Sequence, residues 1–111
     1  MGFVKVASVK DLLPGKKIDV KLGGRSILGI GVGGKSILIV NLDGKFYAIG
    51  NKCTHFGCKL SDGKINGETI ICSCHGSTFD IKTGKVLKGP AKTPETTYKI
   101  KIDGNDIMVD V

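Results

Sequence analysis

The side chains able to do metal or redox chemistry in this 111-residue chain are confined to one stretch. All four cysteines and both histidines fall between residues 53 and 75, in Cys53–Thr54–His55–Phe56–Gly57–Cys58 and Cys72–Ser73–Cys74–His75. A lone histidine is usually an ordinary surface or core residue. Two histidines, each within three positions of two cysteines, point instead to shared ligation. Two Cys and two His would complete a tetrahedral zinc site. Four Cys would hold a plant-type iron–sulfur cluster, with the histidines as bystanders. Either site needs the two clusters side by side. The segment between them, Ile65–Asn66–Gly67–Glu68–Thr69–Ile70, carries the Asn-Gly hairpin signal that would return the second cluster to the first.

The spacing Cys53-x-His55 … Cys72-x-x-His75 resembles the Rieske signature. The strings CTHFGC and CSCHGSTFD are similar to that family's two cluster-binding boxes, and Gly89–Pro90–Ala91 resembles the proline loop that covers the cluster's third side. The resemblance implies one [2Fe–2S] cluster per chain, with Cys53 and Cys72 on one iron and His55 and His75 on the other. Neutral imidazoles replace anionic thiolates on that second iron and raise the reduction potential. Cys58 and Cys74 fall where high-potential members carry a disulfide between the two ligand loops. By the same resemblance the Ser77 hydroxyl donates to a bridging sulfide. Two residues depart from the respiratory-complex members: Ser73 stands where they have Pro, and Phe79 where they have a Tyr that donates to the Cys53 sulfur. The implied potential lies in the upper part of the family range of about −150 to +300 mV, below that of members with both donors. The short chain and retained extra cysteines are most similar to the small soluble archaeal members.

The resemblance also implies an all-β chain: a Rieske-type antiparallel β-sandwich base (about 1–50 and 93–111) with a loop-rich cluster-binding arm (about 51–92), together one domain over 1–111. The implied function is one-electron transfer to redox protein partners through the exposed ring edges of His55 and His75. Once the ligands are assigned, no His or Cys remains to act as base or nucleophile, so no catalytic residue is expected. Two rival readings stand beside this one. The chain could be the Rieske subunit of a larger oxidoreductase, or a zinc-stabilised β binding module with no redox role.

The elements that must position these residues read as strands. Phe3–Val4–Lys5–Val6 alternates, Leu13–Pro14–Gly15 turns, and Ile18, Val20 and Leu22 alternate with charged residues. Ser36 to Leu42 is apolar and β-branched apart from Asn41, and Asp43–Gly44 leads it through a hairpin into Phe46–Tyr47–Ala48–Ile49. Tyr98, Ile100 and Ile102 alternate with Lys before Asp103–Gly104, and Ile107, Val109 and Val111 alternate after it. Helical periodicity is limited to about one turn near Val9–Leu13. Gly29 to Ser36 matches GxxxxGK[ST], but the next residues, Ile37–Leu38–Ile39–Val40, favour a strand. A phosphate loop needs a helix there, so nucleotide binding is not expected.

Glycine is 17 of 111 residues and aromatics are 5%, a composition of short strands and tight turns. The net charge is +7. It is concentrated in residues 1–52, with nine Lys/Arg against three Asp, whereas residues 53–111 carry eight against seven acids. Such an excess suits an acidic redox partner. The lysines are scattered and lack interleaved aromatics, which excludes nucleic-acid binding. The N-terminal residues lack the apolar core of a secretory signal, and Ile27 to Leu42 is too broken for a membrane span. The expectation is a soluble cytoplasmic monomer. A cytosolic disulfide is at home in hyperthermophiles. The absence of Gln and the abundance of Ile and Lys lean that way, whereas a total of two Glu leans against it.

Overall fold

The computed structural model describes residues 2–22, 25–27, 30–32, 35–54, 57–74 and 76–110. Its strands, in chain order, begin with β1 (Phe3–Ser8), β2 (Lys17–Leu22), β3 (Arg25–Ile27), β4 (Ile30–Val32), β5 (Lys35–Leu42) and β6 (Lys45–Gly50). Next come β7 (Lys64–Asn66), β8 (Thr69–Ile71), β9 (Thr78–Asp80) and β10 (Val86–Lys88). The chain closes with β11 (Thr97–Tyr98), β12 (Ile100–Asp103) and β13 (Asp106–Asp110). Among the described residues the only helical pieces are 3₁₀ turns at Val9–Asp11 and Leu60–Asp62. The fold is all-β, and every strand pairing is antiparallel.

Four consecutive residues of β5, Ile37 to Val40, are 0% exposed. A strand achieves that only when both faces of its sheet are covered. The central sheet has the order β11-β6-β5-β2. Ile37 and Ile39 pack on one face with Ala48, Leu12, Ile107 and Val109, beneath the sheet β1-β13-β12. Leu38 and Val40 pack on the other with Ile49, Leu60, Ile70, Phe79 and Ile81, beneath the sheet β10-β9-β8-β7. Successive side chains of β5 thus feed two cores. The sheet of residues 64–88 carries the second Cys–His cluster and shares an apolar core with the strands before it. Asn41, the polar interruption in β5, is buried but satisfied. Its amide donates to Leu12 O at 2.8 Å, and its side-chain oxygen accepts from Gly44 N at 2.7 Å.

The hairpins sort by where their glycine falls. At Asp43–Gly44 both residues have positive φ, 54° and 90°, and Leu42 faces Lys45. This is the two-residue turn that Asp-Gly favours. At Asn66–Gly67 and Asp103–Gly104 the chain turns one residue later. Asn66 pairs with Thr69 and Asp103 with Asp106, which puts the glycine first in the turn. Burial decides this register: a one-residue slip would turn Ile70, Ile107 and Val109 from their cores to solvent.

The described strands on either side of the glycine-rich stretch pair as one hairpin would. Lys17 faces Val40, Leu22 faces Lys35, Arg25 faces Val32 and Ile27 faces Ile30, all in one register. Ile30–Val32 and Lys35–Leu42 are strands, so no helix N-terminus stands where a phosphate loop would need one. Gly29, Gly33 and Gly34 lie outside the described residues.

Candidate metal centre

Both Cys–His clusters fold into the same closed loop. In the first, Cys53 N donates to Cys58 O at 2.6 Å and Gly57 N donates to Cys53 O at 2.8 Å. In the second, Cys72 N donates to Ser77 O at 2.8 Å and Gly76 N to Cys72 O at 3.1 Å. Each loop therefore joins residue i to i+5 and i+4 back to i. The glycine at i+4 has positive φ in both, 72° and 77°, a conformation cheap only for glycine. The first residue of each loop is a buried cysteine, Cys53 at 3% and Cys72 at 2% exposure. Both belong to the apolar core on that face of the central sheet.

A disulfide joins Cys58 of the first loop to Cys74 of the second, with Cα atoms 6.5 Å apart. The sulfurs of Cys58, Cys72 and Cys74 lie within 4.8 Å of one another. Two of the three are bonded together, so the trio is not a metal cradle. It measures instead how close the bridge runs to Cys72. Cys53 and Cys72 are outside the bridge. His55, Phe56 and His75 lie outside the described residues.

Three further contacts buttress the loops. Ser77 is 0% exposed, and its hydroxyl oxygen accepts from Ala91 N at 3.0 Å. That bond ties the exposed Gly89–Pro90 turn to the second loop and leaves the hydroxyl proton as the part able to donate. Thr54, inside the first loop, donates its hydroxyl to Thr93 O at 2.6 Å, and its amide serves the Glu95 carboxyl. Asn51, 0% exposed, holds the first loop's exit. Its side-chain oxygen accepts from Ser61 N at 2.8 Å, and its amide donates to Ser36 Oγ at 3.0 Å. Phe79 is 0% exposed in β9, in the same core as Cys53 and Cys72.

The residues present fit a [2Fe–2S] cluster. Soft thiolates are the required donors, two are held buried on matched loops, and the second loop closes on Ser77, whose buried hydroxyl keeps a proton it can donate. Sequence reasoning missed Asn51, Thr54 and Glu95. No local spacing marks them, because their partners lie far along the chain. Among these groups Glu95 is the titratable one: burial pushes its carboxyl up to about 7, against the pull of the Thr54 amide.

Comparison with known proteins agrees with this geometry. Residues 2–101 match the Rieske [2Fe-2S] domain. The chain is 32% identical over 111 residues, all of this chain and 94% of the relative, to the ferredoxin component of biphenyl 2,3-dioxygenase from Rhodococcus jostii (strain RHA1). It is 40% identical over 67 residues to the ferredoxin subunit of 3-phenylpropionate/cinnamic acid dioxygenase from Escherichia coli (strain K12). That second match spans 60% of this chain and 63% of the relative. Among solved structures, a chain in the complex of reduced oxygenase and oxidised ferredoxin of carbazole 1,9a-dioxygenase superposes with a TM-score of 0.83 at 27% identity. The superposition covers 96% of this chain and 91% of that one. The chain therefore belongs to the Rieske [2Fe–2S] domain family, and its cofactor is the family's [2Fe–2S] cluster. No helix among the described residues is long and apolar enough to cross a membrane.

Proposed function

We propose that this chain is a one-electron carrier, the ferredoxin component of an oxygenase system, holding its cluster on Cys53, His55, Cys72 and His75. The observation that carries this reading is the pair of identically closed loops, each presenting one buried cysteine and joined through Cys58–Cys74. A bound cluster supplies the one-electron couple. The protein's own residues do the rest: they bury the two thiolates, exclude water from that side, and leave the Gly89–Pro90 turn exposed at the surface. The relatives are ferredoxin components of dioxygenases, and one structural neighbour comes from an oxygenase–ferredoxin complex. A terminal oxygenase is accordingly the proposed electron acceptor.

Exposed Lys52 and Lys59 flank the first loop, and exposed Lys88 and Lys92 flank the proline turn. They make a basic docking face suited to an acidic partner, with exposed Leu87 and Pro90 as its apolar centre. We read the carrier as a single-domain monomer of the cytoplasm and of the high-potential type, on the strength of the Cys58–Cys74 pair and the buried Ser77.

EPR of the dithionite-reduced protein tests the ligand set. The expected signal is rhombic, with an average g below that of all-thiolate [2Fe–2S] clusters. It should vanish in Cys53→Ser, Cys72→Ser, His55→Ala and His75→Ala. A variant that keeps the wild-type spectrum removes its residue from the site, and a colourless protein with one zinc per chain overturns the redox reading.

A further inference from the structure

We propose that Glu95 is a positioning residue for the first ligand loop, its carboxyl holding the Thr54 amide in a space that Gly50 keeps open. The inference rests on the proposed ligand set, because Thr54 lies between Cys53 and His55. Glu95 is 7% exposed and Glu68, the chain's other glutamate, is exposed. One of its oxygens, Oε2, is buried with no hydrogen-bond partner among the described residues. A buried, half-satisfied carboxyl is costly, so its presence needs a compensating contact. That contact is the Thr54 amide, whose hydrogen bond favours the carboxylate charge against burial.

Three other features converge on the same spot. The Thr54 hydroxyl donates to Thr93 O, so residues 93–95 clasp Thr54 at two points. Glu95 N donates to Gly84 O at 2.8 Å, anchoring the clasp to the turn after β9. At Gly50 a Cβ would stand 2.6 Å from Glu95 Oε1, with its next neighbours no nearer than 3.8 Å. Gly50 has no positive φ, so its missing side chain serves the carboxyl rather than the backbone. Glycine at 50 and glutamate at 95 are one unit.

This yields a substitution cycle. Glu95→Ala removes the acceptor, and release of the Thr54 amide should speed cluster loss from the oxidised protein about tenfold, the scale of one hydrogen bond to a charged group. The g-values and the potential should move as well, because the loop that carries two ligands is no longer fixed. Glu95→Gln keeps an acceptor of the same reach and should restore wild-type g-values and cluster lifetime. Gly50→Ala should reproduce Glu95→Ala by pushing the carboxyl aside, yet add nothing in a Glu95→Ala background, where its methyl enters vacated space. Should Glu95→Ala fail to fold, Thr54→Val removes only the hydroxyl half of the clasp at an exposed position and should shift g-values and cluster lifetime the same way, by less.

Wild-type g-values and cluster lifetime in Glu95→Ala, or additive effects of Gly50→Ala and Glu95→Ala, would overturn the proposal. So would a Glu95→Gln variant as impaired as Glu95→Ala. None of these results touches the ligand assignment, which fails separately if the wild-type protein lacks the Rieske spectrum.

Discussion

The two cysteine loops share one backbone closure and differ in what holds them. The second leaves β8 at Cys72 and enters β9 after Ser77, so both ends run into neighbouring strands of one sheet. The first leaves β6 through Asn51 and ends at a 3₁₀ turn. Its ends are paired by an isolated bridge of Lys52 with Lys59 and by Leu60 N donating to Asn51 O at 2.6 Å, and the side chains of Asn51 and Thr54 and the carboxyl of Glu95 add to that short pairing. The i+5 position differs too. It is Cys58 in the first loop, used for the bridge, and Ser77 in the second, used to hold the proline turn. The same loop therefore leans on two full strands in one place and on a short bridge reinforced by side chains in the other. The first should be breakable from a distance and the second should not.

The disulfide is the strongest link between them. It spans a sequence separation of 16, worth about 3 kcal/mol in the chain-entropy account. Cys58→Ser with Cys74→Ser should speed cluster loss and lower the potential. Hydrogen exchange should rise mainly in residues 51–59, because the strands still restrain 72–77. Equal gains in both loops would erase the asymmetry. Peptide mapping of denatured, unreduced protein should find the two cysteines linked.

Glu95 gives the first loop a pH signature. Its folded pKa of about 7 stands above the ordinary 4.5, so the folded state binds the proton more tightly than the unfolded one. That stabilisation is complete below about pH 4.5 and is lost as pH rises through 7. Glu95→Gln does not titrate. Its stability relative to wild type should rise by about 2 kcal/mol between pH 5 and pH 8, read from denaturant unfolding of the oxidised protein. A pH-independent difference would mean the carboxyl is not held buried.

On the second loop, Ser77→Ala takes away the acceptor for Ala91 N, and a buried amide left unpaired costs about 1–3 kcal/mol. The variant should lose stability on that scale and show a lower potential, while β8 and β9 keep their amide protection. Phe79→Tyr is the finest probe. Its ring is already buried in the core that holds Cys53 and Cys72, and a hydroxyl directed at the Cys53 sulfur stabilises the more negative, reduced state. A hydrogen bond to a charged acceptor is worth about 1.5–3 kcal/mol. A third to a half of that, at 59 mV per 1.4 kcal/mol for one electron, gives a rise of roughly 20–65 mV. No rise, with Ser77→Ala still lowering the potential, would confine the donor role to residue 77.

Local spacing by itself determined much of this protein. The two Cys–His strings mark the candidate centre, because ligand type and separation are set within a few residues. Asp43–Gly44 marks its turn because the positive φ angles are a property of those two residues. The apolar, β-branched run Ile37–Val40 already implies a strand, and only its burial shows that both faces are covered. Tertiary structure alone decided the rest. Which residue of Asn66–Gly67 and of Asp103–Gly104 opens its turn was settled by the burial of Ile70, Ile107 and Val109. That Glu95 is buried, and that Gly50 is small on its account, depends on partners about 40 residues away across the fold, as Thr54 and Thr93 are, at a separation of 39. Polar groups are recognised as structural by who satisfies them. That partner is chosen by packing, which sequence spacing does not record.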